Sequence, residues 1–194
     1  MTTPAWAAGV CEGTHAAGVR DVVYVPDNPL SFILDEFDRR YPSVRLVLAT
    51  REEEAFGIAA GLYLGGRRPA VMLQSSGLGN SLNALTTLVV PYRIPMLMVV
   101  SMRGDEGEWN PAQMPMGRAV RPILDAIGVP HTTVSVSDTV RAADPQVSDT
   151  VYAVSDTVRG CAVAAFERKL PHAVLLPRRL TAPGPAGPGP QDER

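Results

Sequence analysis

The chain has 194 residues, 45% of them hydrophobic and 20% charged, with a formal net charge of −2, which fits one globular domain of ordinary size rather than two. That balance excludes a protein that grips nucleic acid through a basic surplus. Lys169 is the only lysine, so Schiff-base chemistry would have to use that residue or be absent.

Strand and helix signals alternate along the chain. Val22–Pro26 is a short β-branched run ended by proline, and Leu30–Arg39 carries Phe32, Ile33 and Phe37 at helical spacing. Val44–Ala49 reads as a second strand and Glu52–Leu64 as a second helix. Ala70–Gln74 is a third strand, followed by a Gly-rich turn over Ser75–Gly79 and a helix over Asn80–Val90. Met96–Ser101 is a fourth, almost wholly apolar strand, as expected when both faces are covered. A polar loop from Met102 to Met116 leads to a helix near Arg118–Ile127. His131–Val136 and Ala173–Leu176 read as the last two strands, with a helix ending near Lys169 between them.

This alternation predicts an α/β domain with a doubly wound, mostly parallel six-stranded sheet over residues 1–181. Ligands of such sheets sit beyond the carboxyl ends of the strands, which directs attention to the loops opening at Asp27, Thr50, Ser75 and Met102. VSDTV occurs three times, at Val136, Val147 and Val154, and residues 136–160 are expected to be a repeat-containing insertion that lengthens a connection or helix start. Each Ser-Asp of the repeat suits a helix cap. The Pro/Gly-rich tail, 182–194, is expected to be disordered.

Familiar chemical motifs are missing. The turn Gly77-Leu78-Gly79 has leucine at position 82, where a dinucleotide fingerprint needs its third glycine. There is no P-loop, no nucleophile elbow and no H-E-x-x-H. His15, His131 and His172 are scattered and read as solvated or core residues. Cys11 and Cys161 form no C-x-x-C pair, so no disulfide scaffold or metal site is expected. Nothing resembles a secretory signal, and no apolar run approaches the roughly 20 residues of a membrane span. A soluble, cytoplasmic protein is expected, with no membrane partner.

The segment Thr50–Gly61 is different. Three carboxylates open a helix that continues through Ala55, Gly57, Ala59, Ala60 and Gly61, small residues that let another backbone approach. With Thr50 as N-cap, Glu53 falls at N3 and completes a capping box, and Glu54 complements the helix dipole. Glu52 is left without a structural task at the mouth of the sheet.

Together, VPDNPL at Val25–Leu30, REEEAFGIAAGLYLGG at Arg51–Gly66, PAVMLQSSGLGNSLNAL at Pro69–Leu85 and RGDEGEWNPAQMPMGR at Arg103–Arg118 resemble the pyrimidine-binding domain of thiamine-diphosphate enzymes. The closer resemblance is to the α subunits of the sulfopyruvate and phosphonopyruvate decarboxylases. It covers about Val19 to Pro177. In that family a glutamate hydrogen-bonds the cofactor's aminopyrimidine and favours the tautomer that takes the thiazolium C2 proton. Register against Gly61 gives this role to Glu52.

The resemblance further implies thiamine diphosphate held with Mg²⁺ through a Gly-Asp-Gly motif. That motif is absent from this chain, whose nearest string is Arg103-Gly104-Asp105-Glu106. The implied partner is a β subunit carrying it, in an α2β2 or larger hetero-oligomer. Ser75, Ser76, Gly77 and Asn80 either approach the cofactor or merely shape the turn and cap the next helix. Asn28, with Asp27 as fallback, falls where related decarboxylases face the substrate, and Gln113 tilts the resemblance towards the sulfopyruvate branch. A dianionic 2-oxo acid wants a cationic partner, and Arg103, at the end of strand four, is the first candidate, with Arg118 and Arg93 behind it. The implied reaction is decarboxylation of 3-sulfopyruvate to sulfoacetaldehyde, or of phosphonopyruvate to phosphonoacetaldehyde. Joining the carbanion to a second carbonyl compound would look the same in sequence. The rival reading is a non-catalytic α/β binding or scaffolding domain.

Overall fold

The computed structural model describes residues 3–135 and 147–181. Six parallel strands lie in the order β2-β1-β3-β4-β6-β5, namely β1 (Asp21–Tyr24), β2 (Arg45–Leu48), β3 (Pro69–Gln74), β4 (Leu97–Ser101), β5 (His131–Thr133) and β6 (His172–Leu176). The expected sheet is therefore present, and every pairing in it is parallel.

The central strands are apolar throughout because each sends alternate residues to opposite layers. Ala70 and Met72 of β3 join one cluster with Leu97, Val99, Val174 and Leu176. Val71 and Leu73 join the other with Met98, Val100, Ala173 and Leu175. Against the first layer pack α1 (Ala5–Ala16), α2 (Asn28–Arg40) and α6 (Val147–Arg168). Against the second pack α3 (Glu52–Leu64), α4 (Ser75–Asn80) and α5 (Met114–Ala126). A last turn of helix, α7 (Arg178–Thr181), follows β6 directly. No helix among the described residues is long and apolar enough to cross a membrane.

Helix α1 has no counterpart in the sequence expectations. Its string AWAAGVCEGTHA is mostly small residues, so it carries little periodic signal. It is held instead by close approach to α6. A Cβ on Gly9 would lie 2.7 Å from the Val151 carbonyl oxygen and 2.8 Å from Val154 Cβ, and one on Gly13 would run into the Ser155 carbonyl. Val154 and Val158, which open and close the third VSDTV, are fully buried at this contact. The third Ser-Asp lies inside α6, so it does not cap a helix. The first VSDTV and the tail at 182–194 lie outside the described residues.

Other boundaries shift for local reasons. Ser75–Gly79, expected as a turn, is helical, and the helix expected over Asn80–Val90 is interrupted. The buried Ser81 hydroxyl donates to the Gly77 carbonyl at 2.8 Å, and the chain re-forms as a short turn over Leu82–Ala84 and a π-turn over Leu85–Val89. The loop after β4 is shorter than expected. Asn110 accepts the Ala112 N–H at 3.0 Å and starts a 3₁₀ turn over Pro111–Gln113 that runs into α5.

Gly13→Val should lower unfolding stability by about 2 kcal/mol, the scale of overpacking a filled contact. Gly160→Ala, at an exposed α6 position with open space around it, should be neutral or stabilising by up to ~1 kcal/mol. Urea unfolding of both variants checks the pair.

Candidate active site at the carboxyl edge of the sheet

The chain passes from β1 to β2 on one side and then crosses back to β3 on the other side of β1, and such a reversal opens a crevice beyond the strand ends. Residues following β1, β2, β3 and β4 meet at this edge. Gln74 and Ser101 are in register at the ends of β3 and β4.

Glu52 is the first residue of α3 and is half-buried. Asn80 donates its Nδ2–H to Glu52 Oε2 at 3.3 Å. Gly77, buried on α4, faces the same side chain, and a Cβ there would stand 2.5 Å from Glu52 Cγ and 2.7 Å from Oε1. The absent side chain thus makes the notch that the glutamate occupies. Gly77 and Asn80, on consecutive turns of α4, flank one carboxylate. Ser75 and Ser76 of the same helix point elsewhere. Ser75 Oγ, buried, accepts the Arg103 backbone N–H at 3.1 Å, while the exposed Ser76 hydroxyl donates to Gln74 Oε1 at 2.8 Å.

The neighbouring carboxylates differ from expectation. Helix α3 begins at Glu52 with Arg51 as its N-cap, so Glu54, not Glu53, is the N3 residue. Glu54 Oε2 accepts the Thr50 hydroxyl at 2.7 Å and the Thr50 backbone N–H at 2.8 Å, and these bonds hold its carboxyl below the usual range. Glu53 pairs with Arg51 at 3.0 Å.

Asp27 caps the start of α2 by position only, since its carboxylate turns into the crevice. It accepts the Ser101 hydroxyl at 2.5 Å and the Gln74 Nε2–H at 3.3 Å. One carboxylate therefore bridges the ends of β3 and β4 from the loop after β1. Asn28 is exposed beside it, and its carbonyl accepts the Ser31 hydroxyl at 2.7 Å. Gln113 is half-buried at the end of the 3₁₀ turn, backed against Gly104.

Arg103 is not a free fork. Its Nε and Nη2 donate to Glu108 Oε2 and Oε1 at 2.6 and 3.0 Å. The Glu108 side chain is completely buried and also accepts the backbone N–H groups of Asn110 at 3.0 Å and Gly104 at 3.3 Å. Arg103 and these bonds lower its carboxyl pKa to about 2 despite burial. Arg178, from α7, donates its Nε–H to the Gly107 carbonyl at 3.0 Å and stands 3.8 Å from Glu108 Oε2. Arg118 and Arg93, the reserve candidates, are exposed, and Arg93 donates to the Arg168 carbonyl at 2.8 Å.

The sequence reading missed Gln74, Ser101, Glu108 and Arg178. The first two carried a usable signal, being polar residues that close otherwise apolar strands. Glu108 and Arg178 carried none, because only the folded loop brings them together. Among the described residues, no group of three or more His, Cys, Asp or Glu could hold a metal ion. Both cysteines are buried, and burial raises their thiol pKa values.

Residues 6–115 match the family model of the thiamine pyrophosphate enzyme N-terminal TPP-binding domain, and the chain belongs to that family. It is 45% identical over 124 residues to the sulfopyruvate decarboxylase subunit alpha of Methanothermobacter thermautotrophicus, covering 64% of this chain and 74% of that one. Identity to the same-named subunit of Methanococcus maripaludis is 34% over 160 residues, covering 82% and 87%. A phosphonopyruvate decarboxylase from Streptomyces viridochromogenes is 31% identical over 180 residues, covering 92% of this chain but 42% of that protein.

The Glu108 pair sets a pH dependence. Its folded pKa lies below the ordinary carboxyl value of about 4.3. The stability it adds is complete above that value and is lost as pH falls towards 2. Unfolding free energies of the wild type and Glu108→Gln should therefore differ most above pH 5 and converge on acidification. A constant gap from pH 6 to 2.5 would contradict the assignment.

Proposed function

We propose that this chain is the α subunit of a thiamine-diphosphate-dependent 2-oxo acid decarboxylase acting on 3-sulfopyruvate. The reaction consumes one proton and yields sulfoacetaldehyde and CO₂. The observation that carries the reading is Glu52 seated against the Gly77 notch at the sheet's crevice, in a chain whose relatives of similar length are named as α subunits. The residues fit an aminopyrimidine. Glu52 offers a carboxylate oxygen to a ring nitrogen, Asn80 orients the other oxygen, and a side chain at position 77 would fill the notch.

When bound, the cofactor supplies the nucleophilic carbon and the electron sink of decarboxylation. The work of this chain is to bind, orient and hold a proton. Glu52 would share a proton with the pyrimidine ring, Asn80 fixes its carboxylate, and Gly77 leaves the space that the Glu52 side chain takes. Ser75 holds the Arg103 loop, and Ser76 holds Gln74, which in turn holds Asp27. Asp27, Asn28 and Gln113 face the substrate, with Arg103 behind them. The β subunit supplies the Gly-Asp-Gly motif and the Mg²⁺ that anchors the diphosphate, in a soluble hetero-oligomer of the cytoplasm such as α2β2.

Phosphonopyruvate would present the same groups to the same residues. The relatives of α-subunit length favour the sulfonate. Co-expression with the β subunit, followed by CO₂ release in the presence of thiamine diphosphate and Mg²⁺, tests the reading. Glu52→Gln should lower kcat at least about 100-fold, the scale of losing a group that manages a proton in the transition state. Gly77→Ala should approach that loss, because the new methyl group displaces Glu52. Glu54→Gln should stay within about threefold, since its task is the Thr50 cap and glutamine can still accept there. Equal loss in Glu52→Gln and Glu54→Gln would remove the assignment, and no CO₂ from any 2-oxo acid would favour a binding role.

A further inference from the structure

Two guanidinium groups meet at one carboxylate beside the crevice. Glu108 spends its charge on Arg103, in a two-bond pair reinforced by two backbone N–H groups. The charge of Asp27 also acts on Arg103. Arg178 is left at 3.8 Å from an oxygen that already has two closer donors, and its one hydrogen bond goes to a neutral carbonyl. Its side chain is nevertheless only 16% exposed. The other carboxylates of the loop are engaged elsewhere or turned away. Asp105 takes Arg121 at 3.0 Å, and Glu106 lines a separate hollow with Arg121 and Arg179.

A cation withdrawn from water without a full counter-charge favours an anion in the folded, ligand-bound state. The guanidinium geometry suits a tetrahedral oxyanion group, to which it can offer two parallel N–H bonds. Position agrees with this. Gln74, Ser101 and Leu176 are in register across β3, β4 and β6, so Arg178 emerges about two strand spacings, ~10 Å, from the strand that leads into α4 and its contacts with Glu52. The intervening Arg103 serves as the support of the loop.

We infer that Arg178 binds the distal acid group of the substrate, a sulfonate- or phosphonate-class oxyanion, while Arg103 and Glu108 are positioning residues that hold the loop in place for it. This rests on the decarboxylase reading above and adds the residue that selects a dianionic 2-oxo acid.

The test uses the full chain assembled with its partner subunit, with Arg178→Gln compared to the wild type. KM for 3-sulfopyruvate should rise at least about tenfold, with kcat within about threefold, as expected for loss of one charge-assisted contact made equally in ground and transition states. The calorimetric Kd of sulfoacetate, which has the distal group but no reacting carbonyl, should rise by a similar factor. The Kd of thiamine diphosphate and the thermal midpoint should not move. Arg178→Lys, which keeps the charge without the fork, should fall between the two and carries the test if the glutamine variant does not assemble. Unchanged KM and sulfoacetate Kd would overturn the proposal. So would parallel weakening of cofactor, sulfoacetate and stability, which would mark a purely structural arginine. If the wild-type complex binds sulfoacetate through Arg178 but releases no CO₂, the decarboxylase reading falls and the anion site stands. If it turns over sulfopyruvate and Arg178→Gln is indistinguishable from it, the opposite holds.

Discussion

The hydrogen-bond ladder of β3 fixes where every group at the carboxyl edge can be. This strand pairs with β1 on one side and β4 on the other, and β4 passes the same register on to β6. Because the ladder is parallel, all four strands deliver their following loops to one side of the sheet. Asp27 can therefore accept from both Gln74 and Ser101, and Ser75 can accept from the backbone of Arg103. A slip of one residue in β3 would reverse its two apolar faces and dismantle these contacts together. Because Ala70, Val71, Met72 and Leu73 are all buried and apolar, what guards against that slip is the close packing of side chains of unequal size, not a polar face.

The second recurring device is the removal of a side chain where two elements must come close. Gly9 and Gly13 let α1 lie directly on the α6 backbone, and Gly77 lets α4 close on the Glu52 side chain. The uses differ in what they gain. At α1 and α6 the gain is backbone proximity and dispersion contacts spread along a helix pair. At α4 it is a fixed location for a single carboxylate. The exposed Gly57 and Gly61 of α3 have open space around them, so within this chain they do not serve the same purpose.

Much of the fold was legible because its signals are local. Apolar runs ended by Pro26, Gln74 and Ser101 marked strands, whereas the choice of Glu52 among three adjacent glutamates came from the family resemblance and not from any local signal. What escaped depended on contacts between distant residues. α1 hides its role in small residues whose partners are more than a hundred positions away. The capping role passed from Glu53 to Glu54 because the helix begins one residue later than its N-cap composition suggests. Arg103 looked available for a ligand because Glu108 reads, in sequence, as one more acidic residue in a polar loop. Burial is what turned that acid into the loop's anchor, and burial cannot be read from a string with no periodicity.

The repeated VSDTV of α6 bears on how this helix tolerates change. Val151 and Val158, which close two successive copies, are seven residues apart, and seven residues make nearly two whole turns, with a drift of only about 20°. A second copy therefore presents almost the same stripe as the first. Val151 meets α1 at Gly9 through its carbonyl, and Val158 meets it at Gly13 through its side chain. A seven-residue duplication therefore lengthens the rod while turning its contact face by only about 20°, so successive copies of the repeat meet α1 along one line.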